Sequence, residues 1–212
     1  DFSEPEVLQL ALSDIPVVTI DYIFNDRLAV VSDNAKGMED LFTYIYQMGH
    51  RRIAYIHGTD SAVTTNRLSS FYRTAEKFGV EIPDEYVMMT RYRDTKGAGE
   101  ATEKLLDLRR PPTCILYPDD FAALGGIHVI RERGMSIPED ISIAGYDGIR
   151  LAKLTVPNLT TLCQDTQHLG QYAAEKLIDL IEKPKTAMRN ITIVQGKLYE
   201  GQTVLKLDGS RG

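Results

Sequence analysis

The sequence predicts an α/β protein whose strands form parallel sheets. Short apolar runs rich in β-branched residues alternate with amphipathic stretches of about 10 to 18 residues, the pattern of repeated strand–helix–strand units. Three of the runs, IAYI, CIL and ISIAG, are apolar throughout, as expected for strands that a parallel sheet buries on both faces. A chain of 212 residues with 43% hydrophobic residues is long enough for one large or two small domains of this kind.

The individual elements follow from these patterns in chain order. The predicted strands are 16–20, 29–32, 52–57, 86–90, 113–117, 141–145, 159–162, 190–194 and 198–200. Apolar residues three and four apart, followed closely by glycine or proline, predict helices at 34–48, 62–78, 97–108, 119–133 and 165–181. The segment 147–160 shows neither period and is predicted to be a loop with at most one helical turn. We expect the helices to cover the faces of the sheets.

Charge and composition exclude several classes of protein. The formal net charge of −6 and the pI near 5.3 predict a surface that repels nucleic acid, so this chain alone is not expected to bind DNA. No run approaches the roughly 20 apolar residues of a bilayer span, and no membrane partner is expected. The two cysteines lie in apolar runs, which favours a reducing, cytoplasmic compartment. The chain lacks an initiator Met and a secretory signal, so we expect a shortened piece of a longer protein.

Patterns that carry catalysis are missing from the sequence. It has no phosphate-binding P-loop, no GxSxG elbow and no CxxC, and its four histidines lack the spacing of a zinc site. We therefore expect no enzyme activity, no cofactor and no metal. His57 ends a strand in HGTD, and local backbone hydrogen bonds are the simpler explanation for it.

One acidic pair allows two interpretations. Asp119 and Asp120 follow the strand TCILYP, where paired carboxylates can bind a divalent metal or act as acid and base, together with Asp147 in a weaker enzyme hypothesis. Alternatively, Asp120 begins a helix and caps it by accepting a backbone N–H. Both interpretations stay open for Asp120, whereas Asp119 is predicted to contact a ligand.

Three charged residues are predicted to meet at one edge of a sheet. Asp119 follows the CIL strand, Asp147 follows ISIAG, and Arg67 lies beyond the strand IAYIHG. In doubly wound sheets, ligands bind outside the carboxyl ends of the strands. Carboxylates and a guanidinium provide bidentate hydrogen bonds to polar small molecules, so the sequence predicts a binding cleft built from several loops.

The chain resembles a known family in the order and spacing of its motifs. They are IPVVTID, VSDN, GHRRIAYIHG, NRLSSF, PPTCILYPDDFAALG, ERGMSIPEDISIAGYDG and PNLTTLCQD, which together run nearly the full chain. The sequence is similar to the effector-binding core of the LacI/GalR bacterial transcription regulators. That resemblance implies two parallel-sheet α/β subdomains of the periplasmic-binding-protein type, joined by three crossing strands, with a small-molecule effector in the cleft and a homodimer as the working unit.

The resemblance also implies roles for particular residues. Arg67 matches the arginine of the family's R-L-x-G-F motif, which typically clamps effector hydroxyl or carboxylate groups, and Asp147 matches the aspartate of G-[FY]-D-[DN], another usual effector contact. Asp119 stands where the family usually has Asn. This replacement leaves only acceptors, and it is expected to favour an effector rich in donors, such as a polyol or an amine.

Two further positions are implied to face the effector. Val63 stands where a short polar residue often points at the ligand. An aromatic residue that stacks on the effector aligns with Arg93 or, after a one-residue shift, with Tyr92. Tyr92 is favoured on chemical grounds, and Arg93 remains the alternative.

The resemblance divides the chain into two subdomains. Residues 1–49 and 165–194 are expected to be the remainder of the amino-terminal subdomain, and residues 50–164 and 195–212 the carboxy-terminal one. The family begins with a helix-turn-helix DNA-binding segment, a hinge and about two further strand–helix units. Since the sequence starts after these, the first subdomain is expected to be incomplete, with unpaired strand edges and exposed apolar surface.

The leading function is that of a sensing domain. A small molecule, expected to be a sugar or a related polar metabolite, would bind between the two subdomains and bias their relative orientation. This would change the DNA affinity of the missing headpiece of a regulator. The alternative is the solute-binding protein of a sugar importer or chemoreceptor, which shares the architecture. The sequence upstream of Asp1 distinguishes the two, because it encodes either a helix-turn-helix or a signal peptide.

The helix at 34–48 is the predicted dimer contact. Its apolar and aromatic residues spread over more than one face, with Leu41, Ile45 and Met48 toward the sheet and Phe42 and Tyr44 elsewhere. In the resembling family, this helix and parts of the second subdomain form the dimer interface, so an apolar, self-complementary surface is expected. The alternative is that these aromatics pack under the missing amino-terminal part.

Overall fold

The computed structural model describes residues 6, 9–10, 13, 15–23, 28–184 and 190–208. The strands are β1 (Thr19–Ile20), β2 (Ala29–Ser32), β3 (Ile53–His57), β4 (Val87–Met89), β5 (Cys114–Leu116), β6 (Ser142–Asp147), β7 (Thr160–Cys163), β8 (Ile191–Val194) and β9 (Lys197–Tyr199). The α-helices are α1 (Asn34–Gln47), α2 (Ala62–Lys77), α3 (Thr95–Leu106), α4 (Asp120–Glu132) and α5 (Thr166–Glu182), with 3₁₀ turns at Asp84–Tyr86 and Arg150–Leu154.

The chain divides into two compact units. The first unit comprises Asp1–Asp33 and Asp165–Gln195, and the second comprises Asn34–Gln164 and Gly196–Gly212. None of the helices in the described part of the chain is long and apolar enough to span a membrane.

The second unit is built on a six-stranded sheet in the order β4-β3-β5-β6-β7-β9. Its strands are parallel except β9, which runs antiparallel to β7. Alternate residues of β3 enter different cores: Ala54 and Ile56 pack with α3 and α4, whereas Ile53 and Tyr55 pack with α1 and α2. Helices therefore cover both faces of the sheet, which is why its central strands β3, β5 and β6 are buried at almost every position.

The first unit contains a three-stranded parallel sheet in the order β1-β2-β8. Val30 and Val194 pack against Leu169 of α5 on one face of this sheet. Ile193, which points to the opposite face, is 61% exposed. Among the described residues, a helix therefore covers one face of this sheet only.

The boundary between the units differs from the predicted one. It falls between Asp33 and Asn34 rather than after residue 49, so α1 belongs to the second unit. The cause is packing, because Met38, Leu41 and Phe42 of α1 lie fully buried in the same core cluster as Ile53 of β3.

Candidate functional site

The carboxyl edge of the second unit's sheet carries the residues predicted to bind a ligand. Strands β3, β5 and β6 run parallel and end at His57, Leu116 and Asp147, so the loops that follow them start at the same edge. Helix α2, which begins after the loop from β3, contributes Arg67. The predicted convergence of Arg67, Asp119 and Asp147 is therefore present within one unit.

Arg67 is a buried cation held from three sides. Its side chain is only 3% exposed, and its guanidinium lies over the Tyr146 ring with 3.5 Å to the ring centroid. Nε donates to Asn34 Oδ1 at 2.8 Å, and Nη1 donates to the Pro118 carbonyl at 2.9 Å. These bonds use two of the five N–H groups of a guanidinium and fix its plane. The remaining donors are thus presented in one orientation, which is what a bidentate ligand contact requires.

Asp147 lies beside Arg67 at the end of β6. Its Oδ1 is 3.9 Å from Arg67 Nη2 and accepts a hydrogen bond of 2.5 Å from Gln164 Nε2. Burial raises the pKa of this carboxyl, while the nearby Arg67 and the Gln164 hydrogen bond oppose the rise. The backbone has φ of 105°, a conformation that disfavours side chains, and the next residue is Gly148 with φ of 71°. The tight turn thus sets the direction of the carboxylate.

Asp119, rather than Asp120, caps helix α4. Its Oδ1 accepts the Ala122 N–H at 2.8 Å, and its Oδ2 accepts the Arg93 N–H at 2.7 Å, with the residue 1% exposed. The acceptors that were expected to meet donors of an effector are therefore occupied by the chain's own backbone. A direct contact between Asp119 and a ligand stays a prediction.

Asp120 does not cap the helix, which was one of the two interpretations left open for it. It is fully buried, its Oδ1 accepts the Thr161 hydroxyl at 2.6 Å, and its Oδ2 accepts the Ile149 N–H at 2.8 Å. Burial raises the pKa of this carboxyl to about 7, against those hydrogen bonds. The side chain thus connects the turn after Asp147 to strand β7 through Ile149 and Thr161.

Tyr92 is half-buried, whereas the neighbouring Arg93 is exposed. The Tyr92 hydroxyl is 2.9 Å from Thr64 Oγ1, and its ring fills the space beside Gly58, where a Cβ would lie 2.2 Å from a ring carbon. Arg93 is exposed and has φ of 59°. Val63 is half-buried in the first turn of α2.

Sequence reasoning missed part of the site. The amide of Asn34 and the ring of Tyr146 hold Arg67, and the amide of Gln164 holds Asp147. Of these three residues, only Tyr146 could have been placed from the sequence. It lies two residues after the buried Ala144 in strand β6, so the two side chains are on the same face of the sheet. In the described part of the chain, the fully buried Tyr55 hydroxyl has no hydrogen-bond partner.

Other candidates have local partners. His57 Nδ1 lies 2.8 Å from the Gly58 carbonyl oxygen, in line with the simpler explanation given for it. Within the described ranges, no group of three or more His, Cys, Asp or Glu side chains is arranged to hold a metal ion.

Comparison with known proteins places this architecture. A model of the periplasmic binding protein-like domain matches residues 42–204. The ribose operon repressor of Haemophilus influenzae is 29% identical over 189 residues, which cover 88% of this chain and 56% of that protein. The HTH-type transcriptional repressor PurR of Salmonella arizonae is 30% identical over 207 residues, which cover 94% and 60%. A solved regulatory protein of the LacI family from Chloroflexus aggregans has a TM-score of 0.85 at 26% identity, covering 96% of this chain and 73% of that one.

The chain belongs to the family of periplasmic-binding-protein-like domains, because the family model spans most of its length. Within that family it is an effector-binding core of the LacI/GalR type, which confirms the resemblance predicted from its motifs. The predicted α/β fold class with parallel sheets is confirmed as well. The chain spans somewhat more than half the length of the two curated relatives, so the match identifies this domain and not the remainder of those proteins.

Proposed function

We propose that this chain is the small-molecule-sensing domain of a DNA-binding transcriptional regulator. The observation that carries the proposal is the buried guanidinium of Arg67, stacked on Tyr146 and fixed by Asn34 and Pro118 beside the half-buried carboxylate of Asp147. A cation and a carboxylate with fixed directions suit the hydroxyl groups of a sugar or a related polar metabolite. Val63, Tyr92, Arg93 and Asp119 are the further residues proposed to line or support this site.

The relatives favour a regulator over a solute-binding protein. Curated proteins similar to this chain include an operon repressor and an HTH-type transcriptional repressor, and a similar solved structure is a LacI-family regulatory protein. We accordingly assign the protein a non-enzymatic role in the cytoplasm. With a net charge of −6, the chain itself is not expected to bind DNA, and operator contact falls to a helix-turn-helix in the whole protein.

The test of this function is ligand-dependent stabilisation of the chain. A ligand at 100 times its Kd raises the free energy of unfolding by about 2.7 kcal/mol, so a panel of sugars, sugar acids and sugar phosphates should contain a member that raises the Tm. Betaine at the same concentrations serves as the control for unspecific solute effects. If no panel member stabilises the chain, and the gene upstream of Asp1 encodes a signal peptide, the regulator assignment is wrong.

We propose that the homodimer forms through another part of the second unit than the aromatic residues of α1. Phe42 of α1 is fully buried, and Tyr46 stacks on Phe78 with 4.3 Å between ring centroids, so the aromatic residues of α1 pack within their own unit. By contrast, Leu154 and Val156 are 75% and 79% exposed. Their segment lies beside α4, where Arg131 donates to the Val156 carbonyl. An apolar patch of this kind is typical of an interface between copies.

Leu154→Glu is expected to shift the chain from dimer to monomer, because it places a charge in an apolar interface. Sedimentation velocity at tens of micromolar measures the change. Ile178→Glu, at a 53% exposed apolar position on α5, is the matched control and should stay dimeric. A wild-type chain that sediments as a monomer would refute the proposed interface.

A further inference from the structure

Arg93 has a backbone conformation that its residue type does not favour. It follows strand β4 with φ of 59°, in the left-handed region that residues with a Cβ seldom occupy. Unfavourable conformations of this kind persist only where the surroundings impose them, and they concentrate at functional sites. The structure shows what imposes this one.

The carboxylate of Asp119 holds Arg93 in place. Its Oδ2 accepts the Arg93 N–H at 2.7 Å while its Oδ1 accepts the Ala122 N–H at 2.8 Å. Both bonds need an acceptor, and Asn offers only one oxygen, so it could not make both. The aspartate that replaces the usual asparagine therefore links the start of α4 to the backbone of Arg93.

The side chain of Arg93 is an exposed cation at this edge. Tyr92 turns inward, with its hydroxyl paired to Thr64, whereas Arg93 is exposed and forms no ion pair with the residues that the structure describes. Its backbone N–H is bonded to Asp119, and Arg67 donates to the carbonyl of the adjacent Pro118, so both arginines are anchored to neighbouring residues of the loop after β5. Arg93 therefore follows β4 at the same edge as the Arg67–Asp147 pair.

We propose that Arg93 determines effector specificity and that the effector carries an anionic group, a carboxylate or a phosphate, which Arg93 binds. Asp119 is its positioning residue. The proposal rests on the proposed function and adds the chemical class of the ligand. Guanidinium groups bind both anions through paired N–H donors, so the two sources of negative charge share one recognition chemistry. Arg67 and Asp147 then contact the hydroxyl-bearing part of the same molecule.

The test uses titration calorimetry on the 212-residue chain at constant pH and ionic strength. Two pairs of probes, D-glucuronate with D-glucose and D-ribose 5-phosphate with D-ribose, separate a carboxylate from a phosphate. We expect the wild type to bind one anionic probe at least about tenfold more tightly than its neutral partner, because a charge-assisted hydrogen bond is gained. Arg93→Gln should bring this ratio close to one. Arg91→Gln removes an exposed arginine two residues earlier and should keep it.

Asp119→Asn tests the positioning role. The asparagine can still cap α4, but it loses the acceptor for the Arg93 N–H, so the ratio should fall as it does in Arg93→Gln. If Asp119 only caps α4, the asparagine keeps that role, so both affinities and their ratio should stay unchanged. That result would refute the positioning role.

The outcomes separate this inference from the proposed function. Equal or preferential binding of the neutral sugars, or a ratio that survives Arg93→Gln, would overturn the inference and leave the sensing function intact. No saturable binding by any of the four probes would overturn the inference. The proposed function would fall as well if no sugar-panel member stabilised the chain and the gene upstream of Asp1 encoded a signal peptide.

Discussion

Arg67→Ala is expected to weaken effector binding about 100-fold, a loss of about 2.7 kcal/mol. The substitution removes a guanidinium whose plane is fixed by Asn34 and Pro118 and whose face lies on Tyr146. A ligand group that binds Arg67 in the wild type would lose a charge-assisted hydrogen bond in a largely buried setting. Titration calorimetry with the ligand that most stabilises the chain measures the change.

Two controls separate binding from stability for Arg67. Arg73→Ala removes an exposed arginine from the same helix and should leave the affinity unchanged. Arg67→Met keeps an apolar side chain over Tyr146 but removes every donor, so it should lose as much affinity as alanine with a smaller fall in Tm. If Arg67→Met binds the ligand as the wild type does, Arg67 is a structural residue only.

Asp120→Asn is expected to change how stability depends on pH. Burial raises the pKa of Asp120 to about 7 in the folded chain, against 3.8 for an ordinary carboxyl. Between these values the folded chain holds a proton that the unfolded chain has released, so the contribution of Asp120 to stability falls as the pH rises. Between pH 5 and the folded pKa of about 7, the contribution of Asp120 to the free energy of unfolding should therefore fall by about 2–3 kcal/mol. Asparagine does not titrate, so the variant lacks this loss. Its free energy of unfolding should therefore rise relative to that of the wild type from pH 5 to pH 8.

The measurement for Asp120 is urea unfolding at a series of pH values, expressed as the difference between variant and wild type. The difference matters because His50, whose pKa burial lowers to about 4, contributes stability that increases with pH in both proteins. Asp84→Asn, at an exposed position, should give a flat difference. A flat difference for Asp120→Asn as well would show that its carboxyl titrates normally.

Most of the fold could be predicted because burial on both faces is visible in the sequence. Strands β3, β5 and β6 are apolar at nearly every position, and helices α1 and α2 carry their buried residues three and four apart. Periodicity does not show which sheet a helix covers. For this reason α1 was predicted in the first unit, although its buried face packs on the second.

The candidate site could be predicted in outline only. Topology places the ends of parallel strands together, and this suffices for Arg67 and Asp147. Which of two adjacent aspartates caps α4 depends on where the helix starts to within one residue, and sequence patterns do not reach that precision. The hydrogen bond from Arg67 to Asn34 joins residues 33 apart in sequence, and neither residue type predicts such a contact.

The central claim, that a small molecule binds at the carboxyl edge of the second unit's sheet, is tested most directly by amide hydrogen exchange with and without the stabilising ligand. Bound ligand should slow exchange in the loops that follow β3, β5 and β6, at the amides of residues 58–61, of 117, 119 and 120, and of 148–150. The opposite edge, at the amides of Arg109, Arg110 and Thr113, should exchange as in the free chain. Protection confined to the opposite edge, or its absence from all three carboxyl-edge loops at saturating ligand, would contradict the account.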